Sequence, residues 1–336
     1  MSRSFARAAS GAQPRAKSGA GRLIPANSVA RAMVQVGDRW SLMVLAAAFG
    51  GAHRFTDWRE QIGIASNILT ERLRHLVAIG CLERLPATSG RRSVYRLTEK
   101  GRGLYPVALM FWRFDRAWST RRPRQPSNLV HHRCGQVMTP TLVCAHCRAP
   151  VYAREVEYAS GPGACLERIP TLRSSRRSGA ALAEGASGLL GESIDIFGDR
   201  WTQMIIGMFF LGDRRFEDVR SKWHIATNIL SARLKLLVEH GILQKRVYQV
   251  NPERSEYLLT PKGMDTYPIM LTLSCWGDSW LAPEGKPPLV LFHRRCGKLL
   301  DPVTVCSHCE VALDCHEVSI VGRGAAPEGA ALSQVP

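Results

Sequence analysis

The chain repeats itself once, and this duplication limits the folds open to it more than any other feature. The segment Gly37-Asp38-Arg39-Trp40 recurs 161 residues later as Gly198-Asp199-Arg200-Trp201. Aligned without gaps, residues 37–80 and 198–241 share 21 identities in 44 positions. A period of this length is far beyond the roughly 20 to 50 residues of solenoid repeats. The sequence therefore predicts a tandem duplication of a whole domain, over residues 26–158 and 188–320.

The segments outside the two copies have the composition of unfolded chain. Residues 1–22 carry five basic side chains, no acidic ones and no apolar core of a secretion signal, which indicates a basic disordered arm. Residues 159–187 are rich in Gly, Ser and Arg and are predicted to be a flexible linker. Residues 321–336 are predicted to be a disordered tail.

Hydrophobic periodicity in each copy predicts a helical domain with one small β-hairpin. In copy one it predicts helices over residues 29–36, 40–49, 55–62 and 65–80, with Asp38 as N-cap of the second. Hairpin strands follow over residues 81–85 and 93–97, and over 242–249 and 255–259 in copy two. A last helix carries an apolar stripe that is either core or a helix-pairing interface: Val107, Phe111, Phe114 and Trp118, repeated as Ile269, Leu273, Trp276 and Trp280.

This order of elements predicts a mainly α fold with small β structure. The prediction consists of two tandem winged helix-turn-helix domains, over residues 23–122 and 188–284. Each is followed by a small module, over residues 123–158 and 285–320, whose paired Cys and His residues have the spacing of a zinc-ribbon-like unit. The Gly-Asp-Arg-Trp motif is interpreted as structural: an N-cap, a salt-bridging Arg and a buried Trp that anchors the second helix.

Several motifs resemble the HxlR-type transcriptional regulators. They are Gly-Asp-Arg-Trp, the Arg-Phe pair of the next segment, the pattern Ile-x-x-x-Ile-Leu-x-x-Arg-Leu-x-x-Leu (residues 64–76 and 225–237), and Tyr-x-Leu-Thr-x-x-Gly after the wing. The resemblance implies a small bacterial DNA-binding regulator that dimerises through its terminal helices. In a fused chain, it implies an intramolecular pseudo-dimer, with further homodimerisation left open. The chain departs from the family at Asn27 and Gly188, near which many members carry a redox-reactive cysteine.

The fourth helix of each copy is the predicted DNA-reading element. Its polar face holds short side chains near the N-terminus, as base-edge and phosphate contacts in the major groove require. Ser66 and Thr227 are also interpreted as N-caps, and the alternative for the basic residues is a solvated charged face. The candidate DNA-binding residues on these helices are Ser66, Asn67, Thr70, Arg72 and Arg74, with Thr227, Asn228, Ser231, Arg233 and Lys235.

The wing tips add a second basic surface. Arg91 and Arg92 lie in the first tip and Arg254 in the second, where they are predicted to reach the minor groove or the backbone. Because the tips differ in sequence, we expect the two half-sites to be read unequally.

Six of the ten cysteines have the spacing of metal ligands. Each copy contains His-x-x-Cys-Gly followed nine residues later by Cys-x-x-Cys, a pattern that supplies the four ligands of a closed tetrahedral zinc site. We therefore expect two structural zinc sites, one closed within each copy, although His146 and His308 could replace the first histidine of each set. The predicted ligands are His131, Cys134, Cys144 and Cys147 in copy one, and His293, Cys296, Cys306 and Cys309 in copy two.

The other cysteines have no partner at the repeat offset. Cys81, Cys165, Cys275 and Cys315 are expected to be buried or free thiols, since disulfides are rare in the cytosol.

Charge and hydropathy narrow the function. The formal net charge of +17 favours a polyanionic partner, and the apolar runs are too short to span a membrane. The prediction is a non-enzymatic, cytoplasmic and nucleoid-associated regulator, more specifically a repressor, that binds double-stranded DNA at two half-sites. The alternative is a zinc-stabilised protein-interaction scaffold that has lost DNA binding.

Overall fold

The computed structural model describes residues 23–86, 93–119, 128–168, 189–191, 193–251 and 254–321. The predicted N-terminal arm lies outside these residues, and so do residues 169–187 of the predicted linker and residues 322–336 of the predicted C-terminal tail, whose first residue, Val321, ends a strand.

The first copy folds as the sequence predicts. Its helices and hairpin form a winged helix-turn-helix domain, and a small β module follows. The helices are α1 (Ser28–Val36), α2 (Arg39–Phe49), α3 (Phe55–Ile62), α4 (Ser66–Ala78), α5 (Glu99–Arg102) and α6 (Tyr105–Trp118). The strands are β1 (Leu23–Pro25), β2 (Leu82–Leu85), β3 (Val94–Leu97), β4 (Asn128–His131), β5 (Gln136–Met138), β6 (Pro140–Cys144), β7 (Val156–Ser160) and β8 (Leu166–Arg168).

The second copy repeats this order with a shorter first helix and a longer wing. Its helices are α7 (Ser193–Phe197), α8 (Arg200–Phe210), α9 (Phe216–Trp223), α10 (Thr227–Glu239), α11 (Pro261–Met264) and α12 (Tyr267–Leu281). Its strands are β9 (Leu243–Gln249), β10 (Arg254–Leu259), β11 (Leu289–His293), β12 (Lys298–Leu299), β13 (Pro302–Cys306) and β14 (Val318–Val321).

Local sequence explains where the helices before each wing begin and end. Asp38 caps α2, because its carboxylate accepts the Ser41 backbone N–H at 3.1 Å, and Asp199 caps α8 in the same way. One face of α4 buries Leu69, Leu73 and Leu76, as its i, i+4, i+7 spacing predicts. This burial leaves the opposite face of α4 towards solvent.

The two copies interlock through their helices. Helix α1 of copy one packs against α12 of copy two, and the terminal helices α6 and α12 pack against each other. The aromatic stripe therefore serves as a helix-pairing interface as well as core. Trp276 donates its indole N–H to the Lys100 carbonyl at 2.9 Å, and Trp118 donates to Asp265 at 2.8 Å, both across the copies.

The Gly-Asp-Arg-Trp motif of copy one contacts that of copy two at the interface between the copies. The Arg39 backbone N–H donates to the Gly198 carbonyl at 3.1 Å, and the Arg39 guanidinium lies 2.8 Å from the Asp195 carboxylate. The predicted cap and salt bridge are confirmed, whereas Trp40 and Trp201 are half-buried and not fully enclosed.

Strand exchange joins the β modules. Strands β6 and β13 pair antiparallel, with Leu142 opposite Thr304, so that equivalent residues of the two copies face each other. Strand β14 extends the β4–β5 sheet of copy one, and β7 extends the β11–β12 sheet of copy two. Each module thus gives its last strand to the other copy, and neither is the autonomous zinc-ribbon-like unit that the sequence predicts.

The predicted linker over residues 159–187 begins too early. Strand β7 continues to Ser160, and β8 pairs antiparallel with β1, so that Leu166 lies opposite Pro25. Glycine-rich composition predicts flexible chain here, but the structure shows an ordered contact. Gly161 and Gly163 donate their backbone N–H groups to the carbonyl oxygens of Pro288 and Pro287. Glycine is needed at both positions because an added Cβ would lie 2.1 to 2.2 Å from a backbone oxygen.

Candidate nucleic-acid interface and metal centres

The outer faces of α4 and α10 present equivalent polar side chains. The predicted contacts on these faces are exposed: Ser66, Asn67, Thr70 and Arg74 on α4, with Thr227, Asn228, Ser231 and Lys235 on α10. Thr70 uses its hydroxyl within the helix, since it donates to the Ser66 carbonyl at 2.7 Å. The faces therefore offer a carboxamide and a basic side chain at matching positions in both copies.

The predicted capping by Ser66 and Thr227 is wrong. Each is the first helical residue. The N-cap positions are Ala65 and Ala226, which have extended backbone and no side-chain cap hydrogen bond. The hydroxyls of Ser66 and Thr227 therefore lie at the exposed N-terminal ends of the recognition helices, which leaves their predicted DNA contact in place as a prediction.

Arg72 and Arg233 occupy a different place from the one predicted. Arg233 makes two 2.7 Å hydrogen bonds to Asp199, and Arg72 lies 3.5 Å from Asp38. Both guanidinium groups are largely buried against the cap of the preceding helix. The sequence assigned them to phosphate, but the arrangement makes them positioning residues that fasten each recognition helix to the second helix of its domain.

The wing of copy two is basic along its length. Arg254 is exposed at the start of β10, and Lys245 and Arg246 are exposed on β9. Arg246 pairs with Glu256 across the hairpin. Arg254 is the tip residue that the sequence predicts to contact DNA. Arg91 and Arg92 of the first wing lie outside the described residues.

The metal-ligand candidates form two clusters, and each cluster draws from both copies. In each, a His-x-x-Cys pair of one copy meets the Cys-x-x-Cys pair of the other. One cluster consists of His131, Cys134, Cys306 and Cys309, and the other of Cys144, Cys147, His293 and Cys296. All eight predicted residues are present in clusters that could hold a metal ion, but the predicted closure of each site within one copy is wrong.

Strand β6 gives the physical reason for the exchange. It runs five residues from Pro140 to Cys144. At about 3.4 Å per residue, Cys144 lies roughly 13 Å farther along the strand. Antiparallel pairing instead places Cys306 directly opposite Pro140. The two Cys-x-x-Cys pairs therefore begin at opposite ends of the β6–β13 ladder and belong to different clusters.

The distances between ligand atoms fit a tetrahedral ion. Zn–S bonds of about 2.3 Å and Zn–N bonds of about 2.0–2.1 Å place neighbouring sulfurs about 3.8 Å apart, and sulfur and nitrogen about 3.6 Å apart. Cys134 Sγ lies 3.8 Å from Cys306 Sγ and 3.6 Å from His131 Nδ1, and Cys309 Sγ lies 3.2 Å from the same nitrogen.

The second cluster has the same shape. Its Cys144–Cys296 Sγ separation is 3.9 Å, and His293 Nδ1 lies 3.3 Å from Cys147 Sγ and 3.6 Å from Cys296 Sγ. Three thiols and one imidazole at these spacings form a closed donor set for a thiophilic ion such as zinc.

The backbone at each pair has the tight turn that such ligands need. Gly135 and Gly297 directly follow the cysteine of each His-x-x-Cys pair and have φ of +68° and +67°. Arg148 and Glu310, directly after each Cys-x-x-Cys, adopt φ of +59° and +54°. This left-handed conformation is costly for side chains other than glycine, which indicates that the four turns are held by the surrounding structure.

One of the two imidazoles has a carboxylate nearby that sequence reasoning missed. His131 Nε2 lies 3.7 Å from the Glu317 carboxylate, and its repeat equivalent Glu155 sits in the segment whose backbone carbonyl accepts Arg294 N–H. At 3.7 Å the carboxylate is beyond hydrogen-bond distance, and Nε2 of both His131 and His293 has no hydrogen-bond partner among the described residues. The signal in the sequence was the recurrence of Glu155 at the 162-residue offset. His146 and His308, the alternative ligands that the sequence left open, are not part of either cluster among the described residues.

Three of the four remaining cysteines have thiols whose pKa is raised by burial. Burial raises the pKa of Cys81 to about 11 and that of Cys275 to about 12, and burial with nearby Asp314 raises that of Cys315 to about 11. Cys165 is exposed. Asn27, one of the two positions where the sequence departs from the family resemblance, caps α1 by accepting the Ala30 backbone N–H at 3.0 Å.

Family comparison agrees with this architecture. The description "HxlR-like helix-turn-helix" matches residues 35–123 and 196–285, which together make up just over half of the chain. The chain belongs to the HxlR-like helix-turn-helix family. The two matched regions coincide with the two winged domains, so the duplication is a duplication of the family domain.

Relatives of this family are about the length of one copy. An uncharacterized HTH-type transcriptional regulator of Mycobacterium tuberculosis is 39% identical over 137 residues, which are 40% of this chain and 87% of the relative. The regulator YvaP of Bacillus subtilis, also uncharacterized, is 32% identical over 94 residues, 28% of this chain and 87% of the relative. The crystal structure of PA1607, a candidate transcription factor, is 35% identical and covers 38% of this chain and 89% of its own, at a TM-score of 0.35.

No helix among the described residues is long and apolar enough to cross a membrane.

Proposed function

We propose that this HxlR-type regulator binds one double-stranded DNA operator with both of its winged domains, as an intramolecular pseudo-dimer. The observation that carries the proposal is the pair of equivalent recognition helices, α4 and α10, fused into one chain whose copies interlock through helices and exchanged strands. Two-fold related recognition helices are the arrangement that binds successive half-sites about one helical turn apart. The sign of the regulation, repression, is part of the proposal.

The proposed contacts fall into two groups. Asn67 and Asn228 suit base edges, because a carboxamide can pair with adenine in the major groove. Arg74 and Lys235, with Arg254 on the second wing, suit phosphate, as do the hydroxyls at the helix starts. Arg72 and Arg233 act on DNA only through the position of their helices.

We further propose that each cluster holds a structural zinc ion. Four protein ligands fill a tetrahedral site, so no position is left for a reacting water, and the role is to hold structure. Because each site takes ligands from both copies, zinc binding would join the two β modules and stabilise their spacing. When bound, the ion supplies this cross-link and no chemistry.

Gel-shift titration of the full chain on a palindromic duplex tests the DNA-binding proposal. The variant Asn67→Ala/Arg74→Ala/Asn228→Ala/Lys235→Ala should bind at least tenfold more weakly, since each lost base contact costs about 1–3 kcal/mol. Its salt dependence should also flatten, because about 0.9 counterion is released per phosphate contact.

A matched control removes the same positive charge elsewhere. Arg116 and Lys298 are exposed away from α4 and α10, so Arg116→Ala/Lys298→Ala should leave specific binding nearly unchanged. Equal binding by the four-residue variant and the wild type would refute the assignment of these helices. A wild-type chain with no duplex affinity even at low salt would instead support the scaffold alternative.

A further inference from the structure

The outer faces of the two recognition helices differ in chemistry at one position. Residues 66–74 of α4 and 227–235 of α10 expose side chains at the same five positions. At four of these positions both copies carry a hydroxyl, a carboxamide or a basic group: Ser66 with Thr227, Asn67 with Asn228, Thr70 with Ser231, and Arg74 with Lys235. At the fifth position, α4 carries Glu71 and α10 carries Ala232. The duplication thus isolates one place where a carboxylate in copy one corresponds to a methyl group in copy two.

Helical geometry places this position at the centre of each outer face. Glu71 follows Leu69 by two residues and precedes Leu73 by two, which at 3.6 residues per turn puts it opposite the buried stripe. Ala232 has the equivalent place on α10. In helix-turn-helix proteins, the first turns of the recognition helix contact the base edges in the major groove. Both positions therefore belong to the surface that would read bases.

The Glu71 carboxylate is exposed and has one nearby partner. Its side chain is 66% exposed, and its Oε1 lies 3.5 Å from Nη2 of Arg72. Arg72 itself lies 3.5 Å from Asp38, the N-cap of α2. This contact orients the carboxylate and leaves its second oxygen, Oε2, as an acceptor for a hydrogen bond from outside the chain.

A carboxylate on this face discriminates between bases. The phosphates of a duplex attract basic groups and repel a carboxylate whatever the sequence, so only a donor on a base edge can favour Glu71. Cytosine presents its N4 amino group in the major groove as such a donor. Thymine presents the O4 acceptor and a methyl group, opposite which the carboxylate would lose hydration without gaining a hydrogen bond.

The equivalent position of copy two has the opposite preference. Ala232 is exposed and has no polar side-chain atom to accept from cytosine. Its methyl group suits apolar contact with the C5-methyl of thymine. The two copies therefore favour different pyrimidines at equivalent places of their half-sites.

We propose that the operator is an imperfect palindrome, with cytosine at the position read by Glu71 and thymine at the position read by Ala232. This inference rests on the proposed function, because it requires α4 and α10 to lie on one duplex. Glu71 is then a specificity-determining residue, and the chain binds its operator in one orientation. A homodimer of identical subunits reads both half-sites with the same side chains, whereas the fused chain does not.

Helix α10 has a carboxylate of its own, which supplies a matched control. Glu239 is the last residue of α10, and its Oε1 lies 3.8 Å from Nζ of Lys235. It lies at the opposite end of the helix from the turns that contact bases. Glu239→Ala therefore removes the same charge as Glu71→Ala and leaves the base contacts in place.

Selection of bound sequences from a random-duplex library by the full chain tests the inference. Wild type should enrich paired half-sites that differ at this position, with cytosine in one and thymine in the other. Glu71→Ala should enrich thymine in both half-sites, and Ala232→Glu cytosine in both. Glu71→Gln should change the cytosine to adenine, because a carboxamide pairs with adenine N6 and N7. Glu239→Ala should enrich the wild-type site.

Gel-shift titration on the selected duplex gives the size of the effect. Replacing the cytosine by thymine should weaken wild-type binding about five- to a hundredfold, the range of one good base contact, and should not weaken binding by Glu71→Ala. Identical bases at the two positions of the wild-type site, or a cytosine preference that survives Glu71→Ala, would overturn the inference and leave the proposed function intact. A wild-type chain that enriches no duplex sequence would refute the proposed function, and the inference with it.

Discussion

The exchange of metal ligands between copies makes a prediction that no within-copy site can share. Cys134 and Cys306 lie 3.8 Å apart in one cluster, while Cys134 and Cys144 belong to different clusters. The double variant Cys134→Ser/Cys306→Ser should therefore destroy one site and spare the other. Cys134→Ser/Cys144→Ser should damage both.

The size of the effect follows from the number of ligands. Structural zinc contributes about 10–16 kcal/mol in small zinc domains, or roughly 2.5–4 kcal/mol for each of four ligands. Losing one thiolate should then weaken a site about a hundred- to a thousandfold. Dialysis against a chelator of intermediate strength separates four-ligand from three-ligand sites.

Zinc per chain after that dialysis is the readout, measured by elemental mass spectrometry. Wild type should retain two zinc ions, the Cys134/Cys306 variant one, and the Cys134/Cys144 variant none. A Cys165→Ser control, which changes an exposed thiol outside both clusters, should retain two. One zinc in the Cys134/Cys144 variant together with none in the Cys134/Cys306 variant would refute the exchanged arrangement.

Three further predictions concern stability and reactivity. Arg233→Ala should lower the free energy of unfolding, measured in urea, by about 1–3 kcal/mol, because it removes a bidentate pair with Asp199. The control Arg74→Ala, on the exposed face of α4, should change it by under about 0.5 kcal/mol. Equal losses would contradict the positioning role of Arg233. Leu234→Ala in the buried stripe of α10 should cost about 2–5 kcal/mol in the same assay, and a change below 1 kcal/mol would show that the stripe is not core. Iodoacetamide at pH 8 should label the exposed Cys165 rapidly, as seen in peptide maps. Cys81 should stay unlabelled, because it is buried and its pKa is raised to about 11. Equal labelling of the two would show that the fold opens at Cys81.

The alkaline pH dependence follows from the same buried thiol. The folded-state pKa of Cys81 lies above its ordinary value of 9.0, so the unfolded chain loses this proton first as the pH rises. The contribution of Cys81 to stability is therefore complete below pH 9 and declines between about 9 and 11. Urea unfolding from pH 8 to 11 should show a shallower decline in Cys81→Ala than in wild type, and identical slopes would contradict this assignment.

Most of the winged domains could be predicted because their signals are local. The Leu69, Leu73 and Leu76 spacing specifies a buried helical face, and Asp38 marks a helix start by its own side-chain chemistry. The internal duplication confirmed each assignment a second time. The cap predicted at Ser66 failed because Ala65 and Ser66 are both compatible with a helix start, and only the surrounding fold decides between them.

What the sequence could not specify is which copy supplies each partner. The repeat makes Cys144 and Cys306 equivalent in spacing, so a within-copy site and an exchanged site have the same pattern. The choice depends on the β6–β13 pairing, which joins residues about 160 positions apart. A different limitation hid the Arg233–Asp199 pair, which lies within one copy: an exposed basic helix face and a cap-bound Arg have the same pattern in sequence.

The number of chains that occupy one operator tests the central claim most directly. The account predicts that a duplex with two half-sites about one turn apart binds a single chain, because α4 and α10 of that chain supply both recognition helices. Mass photometry of the complex at low nanomolar concentration gives this number. One chain per duplex is the predicted result. Two chains bound to each duplex, each using one winged domain, would contradict the intramolecular pseudo-dimer.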